Sequence, residues 1–101
     1  MRAALFALVL IACKSDADPG SCYRERDNAC VDYGRAQAAA GKRLCTGYRW
    51  TPGEGTCPKD GRIGTCARDG RDEFLYSGPP NQLTPSAAKT ICESGGGVFR
   101  P

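Results

Sequence analysis

The chain contains no histidine. Ser-His and Cys-His nucleophile pairs, imidazole proton shuttles and histidine-bearing metal sites are therefore excluded. There is no Cys-x-x-Cys pair either, although the chain has 7 cysteines. Zinc knuckles present their ligands in such close pairs, and thioredoxin-like redox sites are built on one, so no metal, cofactor or dithiol chemistry is expected. Large aliphatic side chains are scarce. Between Cys22 and Pro101, Val, Ile, Leu and Phe total nine: Val31, Leu44, Ile63, Phe74, Leu75, Leu83, Ile91, Val98 and Phe99. That is about a tenth of the segment, well under the roughly 20% below which chains tend to stay disordered. Trp50 and four tyrosines add to this core but leave it thin. A long apolar run is also missing. The longest, Ala3 to Ala12, would reach about 15 Å as a helix, half of a ~30 Å hydrocarbon core, and is a poor permanent span.

What is present starts with an export layout: Arg2, the apolar run, Cys13, and then polar, turn-forming sequence from Lys14 to Gly20. The residues Leu10-Ile11-Ala12-Cys13 resemble the lipobox of bacterial lipoproteins. That resemblance implies cleavage before Cys13, a diacylglyceryl thioether on its sulfur and, usually, a further acyl chain on the new amine. Each buried methylene adds about 0.8 kcal/mol, so two or three chains anchor firmly where one binds marginally. The expected organisation is a signal peptide over 1–12, a lipidated cysteine and tether over 13–21, and a domain over 22–101. As a flexible coil the tether reaches about 15 Å, holding the domain close to the membrane. Lys14 in place of aspartate after the anchor points, by resemblance to Gram-negative sorting, to the outer membrane.

An odd cysteine in an exported chain needs an explanation. Lipidation of Cys13 removes one. Cys22, Cys30, Cys45, Cys57, Cys66 and Cys92 then suffice for three disulfides in an oxidising compartment, with 15 pairings open.

The expected fold is a small α+β disulfide-rich domain with two short helices and a β-hairpin or three-stranded antiparallel sheet. The first helix falls within roughly 27–45, around Ala36-Gln37-Ala38-Ala39-Ala40, with Gly34 and Gly41 weakening its ends or dividing it. Asp69-Gly70 is a favoured hairpin turn between Ile63-Gly64-Thr65-Cys66-Ala67 and Glu73-Phe74-Leu75-Tyr76-Ser77. A two-residue loop pairs Thr65 with Phe74 and Ile63 with Tyr76, and the face that carries these four is the expected core side; the same register sets Arg68 opposite Arg71, a mild cost that leaves a longer loop open. Tyr48-Arg49-Trp50 is a candidate third strand. The second helix is well marked, with Thr84 as cap, Pro85 in the first turn and Gly95 at the end. An internal repeat aligns Ala40-Gly41-Lys42-Arg43-Leu44-Cys45 with Ala87-Ala88-Lys89-Thr90-Ile91-Cys92, each followed by an aromatic (Trp50, Phe99) and a proline (Pro52, Pro101). Such a match implies two helix ends, each stapled by its cysteine and followed by an extended segment. From Cys22 onward the cysteine and glycine pattern, with Gly64-Thr65-Cys66 and the final Ala-Lys-x-x-Cys run, is similar to small cysteine-rich lipoproteins of myxobacteria, a likeness that implies no known activity.

No catalytic set emerges. Ser86 and Lys89 form Ser-x-x-Lys, but as i, i+3 neighbours on a helix and without the further motifs of penicillin-interacting enzymes. The carboxylates Asp72-Glu73 and Glu25 with Asp27 read as solvated side chains rather than a glycosidase pair facing across a cleft. Between Asp32 and Glu54 there is no acid, while Arg35, Lys42, Arg43 and Arg49 lie among Tyr33, Tyr48 and Trp50. Arg35, Lys42, Arg43, Arg49 and Trp50 are thus a candidate polyanion-binding set, since basic residues interleaved with aromatics hold anionic polymers. The expected function is a lipid-anchored, non-enzymatic envelope domain whose partners are the membrane and an envelope protein or anionic polymer, with no small-molecule substrate. The alternative is an effector such as a protease inhibitor or small toxin, presenting Thr51 to Thr56 between Cys45 and Cys57 as a rigid loop.

With so thin a core, the disulfides at about 2–4 kcal/mol each match the whole stability of a small domain. The reduced protein is predicted to be largely unfolded, seen as loss of the cooperative thermal transition in strong reductant. An unchanged transition temperature would refute this.

Overall fold

The computed structural model describes residues 18–101. Cys13 and the apolar run lie outside the described residues. Asp69 and Gly70 take positive φ of 53° and 75°, as a type I′ hairpin turn requires. They join β4 (Arg62–Arg68) to β5 (Arg71–Tyr76). Thr65 pairs with Phe74 and Arg68 with Arg71, as expected. Ile63 does not oppose Tyr76. A bulge places Arg62 there instead and swings Ile63 against Cys66, Leu75, Ala88 and Cys92.

A second hairpin precedes it. β1 (Gly20–Arg24) pairs antiparallel with β2 (Ala29–Tyr33). Its turn is a 3-10 segment, Glu25–Asp27, closed by Asn28 at φ 54°. The buried Asn28 side chain donates to the carbonyls of Tyr76 and Gly78, both at 2.8 Å, and so ties this turn to the end of β5. The sheet thus starts inside the expected tether. The first helix is shorter than expected because Ala29–Tyr33 is drawn into the sheet. Helix α1 spans Arg35–Leu44, and Gly41 neither ends nor divides it. β3 (Arg49–Pro52) returns to pair with β1. Helix α2 spans Pro85–Ser94, with the Thr84 hydroxyl accepting from the Ala87 amide and Pro85 opening the first turn. β6 (Val98–Arg100) then pairs with β4. The α+β class with two short helices stands, and the sheet is wider than expected: six antiparallel strands in the order β3-β1-β2-β5-β4-β6.

The described residues therefore form the same unit twice, a hairpin, a helix and a strand returning to the hairpin's outer edge. The two units meet at β2 and β5. Cys22 on β1 bonds Cys45 just past α1, and Cys66 on β4 bonds Cys92 in the last turn of α2. Trp50 lies opposite Cys22 and Phe99 opposite Cys66. Each ring fills the space over the glycine two residues before that cysteine, Gly20 or Gly64. The repeat read around the helix ends thus extends over both whole units.

Both helices lie on one face of the sheet, α1 mainly on β1 and β2, α2 on β4 and β6. One core cluster holds Cys22, Val31, Tyr33, Ala38 and Cys45, with Trp50 against it; the other holds Ala29, Cys66, Leu75, Ala88 and Cys92. The Thr65/Phe74/Tyr76 face, expected as the core side, is instead the face away from the helices. It is covered by the segment after β3, pinned there by Cys30–Cys57. Large apolar side chains do not mark one core face because both faces bury them: Val31, Tyr33 and Leu75 under the helices with the cystines and alanines, and Phe74 and Tyr76 on the far side. On the covered face the Tyr76 hydroxyl donates to the Pro58 carbonyl at 2.7 Å, and burial pushes its ionisation upward.

At Gly41 the first helix lies close against the sheet: a Cβ there would sit 2.6 Å from carbons of the Tyr33 ring. In an open helix Gly→Ala gains about 1 kcal/mol. Here Gly41→Ala is predicted to destabilise by about 1–3 kcal/mol through overpacking, measured by urea denaturation with the disulfides intact. A gain in stability would contradict the packing.

Candidate functional site

Because the helices sit toward the two flanks, the middle of their face carries a partly buried patch between the two apolar clusters. Strand alternation decides what lies there. Counting along the registers from Cys22 and Cys66, the same face carries Arg24, Val31, Tyr33, Arg68, Arg71 and Glu73. Arg24 stands two residues past Cys22 and Arg68 two past Cys66, at matching positions of the two units. The motif Gly-Ser-Cys-Tyr-Arg (20–24) is repeated as Gly-Thr-Cys-Ala-Arg (64–68). Both guanidiniums converge on Glu73. Arg24 Nη2 pairs with Glu73 Oε2, and Arg68 Nη2 lies 3.4 Å from Oε1. Val31 occupies the position that matches Glu73, so one carboxylate serves two arginines.

Two adjoining cavities open here. One of about 250 Å³ runs from Cys22 and Arg24 to Leu44 and Tyr48, and one of about 160 Å³ lies over Arg68 and Glu73. Arg24, Val31, Tyr33 and Arg71 line both. Three guanidiniums face two carboxylates, Glu73 and, at the rim, Asp27, which lies 3.5 Å from Arg24 Nε. Arg71 has no ion pair among the described residues. Its guanidinium lies 5.9 Å from the centre of the Tyr33 ring, in loose cation–π range. The Nε groups of Arg24 and Arg68 are buried without a hydrogen-bond partner. This cluster can hold an anion by charge-assisted hydrogen bonds.

The candidate polyanion set does not assemble into one site. Trp50 is half-buried and stacks on Tyr33 with centroids 6.0 Å apart, as part of the core. Arg49, its neighbour on β3, points to the opposite face, where it pairs with Glu25 at 2.7 Å beside the Tyr23 ring. Arg35 opens α1 and lies 3.9 Å from Asp18, while Lys42 and Arg43 are exposed in its last turn. Arg49 does line a separate edge cleft of about 380 Å³ with Tyr23, Glu25, Arg26 and Tyr48. Arg24, Arg68 and Arg71 went unnoticed in the sequence; the repeated Gly-[Ser/Thr]-Cys-x-Arg motif was the signal that could have found the first two. The 51–56 segment begins as the end of β3, at Thr51 and Pro52, and then turns back on itself. Gly53 and Gly55 have positive φ, and the Thr56 hydroxyl contacts Ser21 Oγ at 2.6 Å and the Thr51 carbonyl at 3.2 Å. Among the described residues no three Cys, Asp or Glu side chains gather in a form that could hold a metal ion, and no helix is long and apolar enough to cross a membrane. Compared with known proteins, the chain matches no family model, no curated protein and no solved structure.

The Glu73 cluster and the Glu25–Arg49 pair make a direct contrast. The Glu73 side chain is 15% exposed, whereas Glu25 and Arg49 are 55% and 61% exposed. Glu73→Gln, which strands two partly buried guanidiniums, is predicted to cost about 1–3 kcal/mol after discounting for the arginines' exposure. Glu25→Gln is predicted to cost under about 1 kcal/mol. Denaturant titration of both variants checks this, and equal costs would contradict it.

Proposed function

We propose that the chain is a lipid-anchored, non-enzymatic domain of a bacterial cell envelope that binds an anionic partner on the face between its helices. The observation that carries the anchor is the closed cysteine account. Cys22, Cys30 and Cys66 bond Cys45, Cys57 and Cys92, so the domain offers no partner to Cys13. An exported chain with one cysteine left over, at the end of an apolar run and behind Leu10-Ile11-Ala12, fits lipidation of that sulfur. Support for a binding role comes from the arginine cluster, which is held on a rigid sheet and open to solvent. An outer-membrane location follows from Lys14 if the source is Gram-negative.

Expression of the full chain in a bacterial host tests the anchor. The account predicts a mature N-terminus at Cys13 that carries diacylglyceryl mass and partitions into detergent. Cys13→Ser is predicted to leave the precursor uncleaved and without lipid. A mature protein that starts elsewhere, or a free thiol at Cys13, would sink the proposal.

A further inference from the structure

We infer that the cleft between α1 and α2 is a docking groove for an extended acidic peptide of a partner protein, with a carboxylate seated on Arg71 and an apolar side chain against Leu44. This deepens the anion-binding reading above and rests on it.

The first support is the layout of the face. α1 packs on β1 and β2, and α2 on β4 and β6, so neither helix lies mainly on β5, the strand that carries Glu73 and Arg71. β2 and β5 pair only over Ala29–Val31 and Glu73–Leu75, and the ladder between them has ended where Tyr33 and Arg71 line the cavities.

Charge is the second support. Glu73 already displays what this floor does with a carboxylate: one oxygen goes to Arg24 and the other toward Arg68. Arg71 lines the same cavities with no acid of its own among the described residues. An aspartate or glutamate from outside supplies the missing partner.

The third support is the rim. Leu44 is 72% exposed and Tyr48 37% exposed, yet both border the cavity that contains Arg71. A bare phosphate would leave these apolar surfaces unused, while a peptide alternating acidic and apolar residues covers both. The cleft is concave and bordered by Leu44 at the end of α1, which suits a strand better than a flat lipid surface.

The test uses the folded, oxidised domain and fluorescent peptides alternating leucine with glutamate, beside matched peptides with glutamine for glutamate. Inorganic phosphate and phosphatidylglycerol vesicles serve as competing probes. Saturable binding of the glutamate peptide is expected, weakened at least about tenfold by Arg71→Gln, the scale of one charge-assisted hydrogen bond in a partly desolvated site. Leu44→Ala, at an exposed position where folding is insensitive, is expected to weaken it by several-fold, about the value of a half-buried leucine. Absence of glutamate-peptide binding, or equal binding of the glutamine peptide, would overturn the inference. So would full affinity in both variants with their disulfides intact. Binding of phosphate or vesicles alone would overturn the peptide and leave the anion-binding reading standing. The anchor is judged separately by the mass at Cys13.

Discussion

Each helix of this domain meets the sheet through a cystine where a larger protein would use leucine or phenylalanine. Cys22–Cys45 and Cys66–Cys92 close loops of 23 and 26 residues, and Cys30–Cys57 one of 27. On the chain-entropy view such loops are worth about 3–4 kcal/mol each, together comparable to the whole stability of a domain this size. The rest of the packing follows from that choice. With sulfur as the contact, the helix faces carry only Ala38 and Gly41, or Ala88, and the helices ride close to the strands. The returning strand then lays one aromatic ring, Trp50 or Phe99, over a glycine beside the cystine. The arrangement is used twice, and the third disulfide fastens the covering segment on the far side.

A core built at two separate staples has no reason to extend across the middle. The helices bury Ala29, Val31, Tyr33 and Leu75 on the two central strands, and between those two clusters the sequence places arginines where a continuous core would have aliphatics. The two matching arginines share one carboxylate, which leaves the centre cationic and partly desolvated. Interactions there are stronger than on an open surface. The stability of the fold and the availability of the site thus share one origin: the same thin core that makes the disulfides necessary leaves the groove open between the helices.

Much of this was legible where local chemistry is unambiguous. The Asp69-Gly70 turn, the Thr84–Pro85 helix start and the cysteine count each stand on a few residues with one dominant physical reason. The repeat was visible at the helix ends and was in fact larger. The first hairpin was missed because Gly20–Arg24 and Ala29–Tyr33 lack the aliphatic alternation that marks a strand; their inward residues include glycine, cysteine and alanine, which read as loop or helix. The bulge at Ile63 was likewise invisible, since nothing at Arg62–Gly64 except the glycine signals it. The candidate binding set is spread over the molecule for a three-dimensional reason. Arg49 and Trp50 are neighbours in sequence, and the two-residue period of a strand sends them to opposite faces. Arg24, Arg68 and Arg71, far apart in sequence, are brought together by the same rule.

The central claim is that the described residues form two separately stapled units joined along β2 and β5. Disulfide mapping tests it most directly: proteolysis of the non-reduced protein between the cysteines, with the linked peptides identified by mass. The account predicts Cys22–Cys45, Cys30–Cys57 and Cys66–Cys92, with no bond linking the first helix or its hairpin to the second. A crossed bond such as Cys22–Cys92 or Cys45–Cys66 in the native protein would contradict it.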